Sequence, residues 1–427
     1  MVWTIIANVI IWIMMICAVL GLIGYIRNPN TGVGREFSTA LSYMGTVFVP
    51  FAGMLSAMPY LTKGILFLFS GLFEKIGADV SLVGGIITGP DMGGWQLTES
   101  LSSSPENWMM GIFLCYLAGP IIAYTMPIGF SMLDKRDFKY YGLGTMAGIL
   151  SIPFGVIIMT LITKVGNINV RPDISNDAPS NYVLNFDWAQ IFINMVPIVV
   201  FCIALAVLLK LFMDVMIKIF LVLGRIVEIG VRVVLVLAII EYFTGFFTAI
   251  FGGKWLFDPV MADELDQFRA IELTGYVVMM MVGAFPMVYL LKKYLAKASA
   301  SIGSKIGFSS NGIIGIISSW AEMVIVFSFY NRIRPVDKVM VTAYGVCGSW
   351  MLASHLSITV TFQPNLVAVI MIGKLLAGLI AILLAKWIAV PAARRFEEKD
   401  RELGIIAENE YIDDEMTAEE IEELTKG

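Results

Sequence analysis

Apolar runs of about 20 residues recur along the chain, at 3–26, 108–132, 142–162 and 188–209 among others, with short polar clusters between them. Each run is long enough, as a helix, to cross a ~30 Å hydrocarbon core. The pattern predicts an all-α polytopic membrane protein. The first run has no basic residue before it and Arg27 after it, the wrong order for a cleaved leader, so it is expected to stay in the mature protein.

Comparing the chain with itself gives one offset, about 230 residues, at which small-residue landmarks coincide without gaps. Gly45 falls on Gly275, Gly53 on Gly283, Gly85 on Gly315, Ala123 on Ala353, and Ala147-Gly148 on Ala377-Gly378. Each half then reads as two spans, a short Gly/Ser-broken segment and two more spans, with 188–209 as an unpaired linker span. The broken segments, 79–100 and 309–330, read as re-entrant hairpins. The expected architecture is about nine full spans plus two hairpins, and the odd linker span makes the two repeats inverted.

The expected domains are therefore a first repeat over 1–164, an external loop, linker span and amphipathic helix over 165–232, a second repeat over 233–390, and an acidic cytoplasmic tail over 391–427. Within the tail, Thr417 and Glu420 fit a capping box opening a short helix, against a disordered charged tail as the other reading. The run 211–231, punctuated by Asp214, Lys218, Arg225, Glu228 and Arg232, is expected to be an amphipathic helix on the cytoplasmic face.

Charge tests this layout, because Lys and Arg accumulate in short cytoplasmic loops. The layout gathers Arg27, Arg35, Lys135, Arg136, Lys139, Lys292, Lys293, Arg332, Arg334 and Lys338 on one side, and leaves few basic residues, such as Lys63, Lys164 and Arg171, on the other. The N-terminus is expected outside and the C-terminus in the cytoplasm of a multi-pass cell-membrane protein.

Composition agrees with a chain that lives in lipid. Apolar residues make up 58% and charged residues 15%, with mean hydropathy +0.81, outside the range of water-soluble domains. The net charge of -5 comes largely from the acidic tail, and nothing supports nucleic-acid binding. Cys17, Cys115, Cys202 and Cys347 all lie in apolar stretches without CxxC spacing, so neither a disulfide frame nor a metal site is suggested. The sequence has no GxxxxGK(S/T) loop, no HExxH pair and a single histidine, so no cofactor, no metal and no enzyme is expected. The lipid bilayer is the expected surrounding, and a homo-oligomer is among the assemblies the sequence allows.

Unwound backbone inside a bilayer is tolerated only where protein or water surrounds it, so helix breaks mark candidate sites. The strongest is Gly89-Pro90-Asp91-Met92-Gly93-Gly94, four turn-formers bracketing a carboxylate at membrane depth. Asp91 reads as a substrate or ion ligand, with a structural cap as the plainer alternative. Glu322 occupies nearly the same place in the second repeat and has two readings: a partner acid at the second hairpin tip, or an edge residue paired with Arg332 or Arg334. His355 lies in an apolar span beside Ser354, and its repeat partner region holds Thr125. It reads as a polar ligand or relay, or as a hydrogen-bonded structural histidine. Trp95, Trp320 and Trp350 flank these spots and offer ring faces to a cation, with packing or interface anchoring as the plainer role.

The chain resembles the ethanolamine permease family from about residue 45 to 390. The likeness rests on Asp91-Met92-Gly93-Gly94, Gly119-Pro120, the run Gly142-Leu143-Gly144-Thr145-Met146-Ala147-Gly148-Ile149, Asn194-Met195-Val196-Pro197, Gly283-Ala284-Phe285-Pro286-Met287-Val288, His355-Leu356 and Gly373-Lys374-Leu375. The resemblance implies a bacterial cytoplasmic-membrane permease for ethanolamine. The chain departs from the family at Ser354, where members carry Asp, and at Glu322-Met323, where they carry two Asn. A carboxylate absent at one point and present at another still suits a cationic ligand.

The candidate substrate-binding residues are thus Asp91, Gly93, Trp95, Thr125, Glu322, Trp350, Ser354 and His355. The expected function is alternating-access transport of a small cationic amino alcohol. The alternatives are a carrier or channel for another polar metabolite, and a membrane-embedded enzyme or sensor.

Overall fold

The computed structural model describes residues 2–174, 178–255, 269–407 and 410–411, apart from the side chains of 253 and 295–306. It is built almost wholly of helices. The chain opens with α1 (Val2–Arg27), α2 (Gly32–Ser42) and the long α3 (Met44–Ile76), which Gly77 closes in a left-handed turn at φ 70°. Two short helices follow, α4 (Ser81–Ile87) and α5 (Gly94–Leu101), then α6 (Pro105–Leu117), α7 (Met126–Met132), α8 (Phe138–Ile149) and α9 (Ile152–Val165). A small β-ribbon, β1 (Asn169–Val170) with β2 (Tyr182–Val183), leads to α10 (Trp188–Leu211), α11 (Met213–Thr244) and the short α12 (Phe246–Phe251).

The second half follows as α13 (Ala270–Ile306), α14 (Ser310–Ser319), α15 (Met323–Ser328), α16 (Pro335–Gly348), α17 (Ser354–Phe362), α18 (Val367–Leu384) and α19 (Val390–Glu402). Most long helices keep large apolar side chains such as Trp12, Phe67, Phe192 and Leu383 exposed on their outer faces, as hydrocarbon contact requires.

Seven helical stretches among the described residues are long and apolar enough to cross a membrane, so this is a multi-pass helical membrane protein. About nine spans were expected, and the two stretches outside the seven explain the difference. One is 335–362, interrupted between α16 and α17. The other is α11, which carries Asp214, Lys218, Arg225, Glu228, Arg232 and Glu241.

Charge spacing in 211–231 had suggested a surface helix ending there. Instead α11 runs unbroken for 32 residues and lies along α3, so the expected boundary at 232/233 falls inside a helix. At the crossing, a Cβ on Gly53 would overlap the Val231 backbone, so only glycine permits the approach. Thr417 and Glu420 lie outside the described residues.

Positions 230 apart do equivalent structural work. Gly53 of α3 admits the backbone of α11, and Gly283 of α13 admits the backbone of α1 at Met14. Gly85 of α4 sits against Gly111 of α6, and Gly315 of α14 sits against Val341 of α16. Both α6 and α16 open on a proline at the first helical position, Pro105 and Pro335, where the missing N–H costs nothing.

Even the polar tie at the base of each short pair recurs, with donor and acceptor exchanged. Asp79 accepts from the Ser103 amide and hydroxyl at 3.0 and 2.6 Å, whereas Ser309 donates its amide and hydroxyl to Asp337 at 3.0 and 2.5 Å.

The N-terminal ends of α8 and α16 meet in a buried ion pair, Asp137 with Lys338 at 2.6 Å, both side chains at most 2% exposed. The segment after α18 docks there. Asp400 accepts from Lys139 and from the Tyr140 hydroxyl, Tyr411 lies 3.3 Å from the Lys338 ammonium, and Arg136 pairs with Glu410 at 3.0 Å. Burial opposes ionisation of Glu410, but the Ala407 N–H and the Arg136 guanidinium outweigh it and hold the carboxyl below its ordinary range. A depressed carboxyl contributes stability above its unfolded-chain value and loses it as pH falls through the folded one. Amide protection at 403–407 is therefore expected to drop once the pH is taken below that folded value. Equal protection, corrected for intrinsic exchange, on both sides of that pH would contradict the docking role of Glu410.

Candidate functional site

Three helix breaks converge in the middle of the bundle. The first, 88–93, separates α4 from α5: Thr88 turns its backbone to an extended conformation, Pro90 opens one 3-10 turn holding Asp91, and Gly93 at φ 75° lets α5 start in a new direction. The second, 118–125, follows α6 and contains a π-turn at Ile121–Thr125. It exists because Pro120 has no N–H to offer the Tyr116 carbonyl four residues earlier. The third, 349–353, separates α16 from α17 and holds Trp350 at φ 55°, a left-handed conformation that costs a bulky residue about 1–2 kcal/mol.

Backbone and side chains lock these breaks together. The Cys115 thiol lies 3.0 Å from the Thr88 carbonyl, and Gly119 is pressed so closely on that carbonyl that no Cβ fits. Tyr124 in the π-turn meets Trp350 edge to face at 6.0 Å. Tyr116, near the end of α6, shares a 2.7 Å hydrogen bond with Thr359 of α17, and its ring meets His355 at 5.1 Å. A fourth break, 320–322 between α14 and α15, joins through backbone alone: the Trp350 and Leu352 amides donate to the Ser319 and Trp320 carbonyls at 2.9 and 3.0 Å.

Several polar groups at this junction have no protein partner. Both ring nitrogens of His355, which is fully buried, and the Ser354 hydroxyl lack a hydrogen bond, and no described side chain donates to the Asp91 carboxylate. An unsatisfied buried polar group costs about 1–3 kcal/mol. Such a cluster is the expected signature of a place where a polar ligand binds.

The residues expected to bind substrate fall into two groups. Asp91, Gly93, Trp350, Ser354 and His355 lie at the junction, Gly93 as the turn that aims Asp91. Trp95 is fully buried and donates its indole N–H to the Tyr116 hydroxyl at 3.2 Å, while its ring packs on Trp108 and Phe362. It holds Tyr116 and presents no open face. Thr125 spends its hydroxyl on the Pro120 carbonyl at 3.0 Å. It borders a crevice too narrow for a water molecule with Tyr141, Thr145 and Thr342.

Glu322 is not brought to Asp91. Its carboxylate takes the Tyr43 hydroxyl, with Glu36 within Coulombic reach, and neither Arg332 nor Arg334 forms an ion pair with it among the described residues. Trp320 donates to the Tyr344 hydroxyl at 2.7 Å.

Two basic residues that sequence reasoning left out support the junction from beside it. Lys374, the sole charge in α18, is 1% exposed and donates to the Tyr116 carbonyl at 2.8 Å, filling the acceptor that Pro120 leaves open. A lone lysine in a long apolar run was the signal available. Arg171, in the ribbon before α10, donates to the Thr361 and Phe362 carbonyls at 2.8 and 3.0 Å, closing the C-terminal end of α17 and fixing the helix that carries His355. Its neighbour Gln363 bonds the Arg171 backbone on both sides, at 2.8 Å each.

Broken helices around a buried polar cluster mark the bundle of this multi-pass helical membrane protein. The chain belongs to the family described as "Ethanolamine utilisation protein, EutH", whose model matches residues 6–388. It is similar to the probable ethanolamine permease EutH of Listeria monocytogenes, 25% identical over 397 residues, covering 92% of this chain and 97% of that protein. It is similar also to the probable ethanolamine permease EutH of Escherichia coli, 26% identical over 357 residues covering 82% and 84% of the two chains. A third relative is the uncharacterised protein YxeR of Bacillus subtilis, 24% identical over 394 residues covering 92% and 97%. No solved structure matches the chain.

Proposed function

We propose that this protein is a permease that binds ethanolamine as its ammonium at the junction of the broken helices and moves it by alternating access. The observation that carries the reading is the Asp91 carboxylate, which takes no side-chain donor among the described residues and lies in Coulombic reach of Tyr124, on a turn packed against α17, the helix that opens with the unpartnered Ser354 and His355. A small amino alcohol has the complementary groups. Its ammonium pairs with Asp91, its hydroxyl bonds His355 and Ser354, and Trp350 with Tyr124 closes over the short carbon chain. The names of the relatives support a transporter and this substrate.

The two halves, 1–164 and 233–390 joined through 165–232 and followed by the tail at 391–427, act as inverted repeats in this reading. The pairs α4–α5 and α14–α15 are their re-entrant hairpins, the N-terminus lies outside and the C-terminus in the cytoplasm. The matched glycine contacts 230 residues apart support it.

Labelled ethanolamine uptake by cells lacking their own permease is the test. Saturable uptake with counterflow is expected, and a rate no higher than the empty-vector control at every concentration would end the proposal. His355→Ala is expected to raise the half-saturating concentration about threefold to tenfold, since one neutral hydrogen bond is worth ~0.5–1.5 kcal/mol. It should also narrow the preference for ethanolamine over ethylamine, which lacks the hydroxyl. An unchanged preference would remove His355 from the hydroxyl site.

A further inference from the structure

Lys374 poses a problem that its single hydrogen bond does not solve. Its ammonium sits in the middle of an apolar helix, 1% exposed, with one neutral acceptor, the Tyr116 carbonyl at 2.8 Å. Burying an ammonium on so little is strongly unfavourable unless an anion answers it. Among the described residues the carboxylate in its Coulombic reach is Asp91, alongside the thiols of Cys115 and Cys347 and the imidazole of His355. No ion pair joins Lys374 and Asp91 in this structure among the described residues. The two halves of an obvious pair lie near each other and apart. A lysine head rides on a flexible four-carbon stem, and the Tyr116 carbonyl at the end of α6 is a natural resting place, because a helix C-terminus attracts cations.

We propose that Lys374 is a tethered counter-cation for the transport cycle: in the substrate-free carrier its ammonium pairs with Asp91, and an arriving substrate ammonium takes that place while Lys374 withdraws to the Tyr116 carbonyl, the position it holds here. The inference rests on the reading of Asp91 as the substrate's anion. It assigns to a side chain the task that a bound metal cation would otherwise perform, that of neutralising the empty site while the carrier reorients. The protein therefore needs no sodium to return, and each ethanolammonium carries one positive charge inward.

Net uptake and exchange separate this role from a merely structural one, because exchange of internal for external substrate never requires the empty carrier to reorient. The full chain and its Lys374→Met and Lys374→Arg variants are reconstituted in vesicles with choline chloride and no sodium. Labelled ethanolamine entry is measured into empty vesicles and into vesicles preloaded with ethanolamine. The unmodified protein is expected to perform both, with net entry faster under an inside-negative potential. Lys374→Met is expected to lose at least tenfold in net entry while exchange stays within about threefold, and Lys374→Arg to keep net entry above the Met variant.

Equal loss of net entry and exchange in a monodisperse Lys374→Met protein, or no loss of either, overturns the inference. If that variant does not fold, the unmodified protein decides: net entry that requires sodium overturns the proposal, and sodium-free, potential-driven entry supports it. An unmodified protein that neither takes up nor exchanges ethanolamine sinks the substrate reading itself, and the inference with it.

Discussion

Asp91→Asn is expected to cut ethanolamine uptake at low substrate by about thirtyfold or more. Removing one member of a desolvated charge pair costs about 2–5 kcal/mol, and each ~1.4 kcal/mol is a factor of ten. The substitution keeps the shape of the side chain, and no described side chain donates a hydrogen bond to Asp91, so the break at 88–93 has no reason to rearrange. Gly93 and Pro90, which set the path of the backbone there, are untouched. The loss should appear as a raised half-saturating concentration with the protein still monodisperse.

Glu322→Gln is the informative contrast. Its carboxylate is engaged by Tyr43 and lies with Glu36, away from the junction, so it is expected to change the half-saturating concentration less than threefold. Normal uptake by Asp91→Asn would sink the ion pair at the centre of the site. A large loss in both variants would mean that the two acids act together despite their separate surroundings.

The contrast also shows what the sequence could and could not reveal. The breaks were legible because their cause is local chemistry: Gly89, Pro90, Gly93 and Pro120 interrupt helices wherever they fall, so Asp91 could be placed at a break before any coordinates. The 230-residue offset was legible for a related reason. Gly53 and Gly283, or Gly85 and Gly315, must stay small where one backbone rides on another, and that requirement survives when the larger side chains diverge.

What was not legible is direction. Glu322 sits one residue out of register with Asp91, and its backbone is extended at the start of α15 where Asp91 lies inside a 3-10 turn, so its carboxylate meets Tyr43 instead. The extent of α11 was equally out of reach, because charge spacing does not show that the helix continues past Arg232 to Thr244 and packs on α3. Lys374 was visible as a lone charge, yet its meaning depends on Tyr116 being released by Pro120, a contact between positions more than 250 residues apart.

The largest effect on stability is expected at the far end of the bundle, from Lys338→Ala. The Asp137–Lys338 pair is buried from both sides, and the ammonium also lies 5.6 Å from the ring centre of Tyr330 and 5.4 Å from that of Tyr411. Deleting the lysine strands Asp137 in that enclosure with Arg136 turned to Glu410, and breaking a buried pair from one side costs about 3–5 kcal/mol. Thermal unfolding in detergent reads the loss directly.

The double replacement Asp137→Leu with Lys338→Met removes both charges at similar volume and is expected to recover most of it, because a buried pair is worth little against well-packed apolar residues. The same double variant asks a functional question that stability does not. Asp137 stands at the N-terminal end of α8 and Lys338 in the first turn of α16, so the pair ties these two helices at one end of the bundle. If alternating access works by parting them there, the stable but untied variant should expose that end more readily, read as faster labelling of a cysteine placed at Lys135. Recovery of stability with unchanged labelling would make the pair a fastening of the fold and not a gate, since the charges would then hold helices together without choosing which end opens.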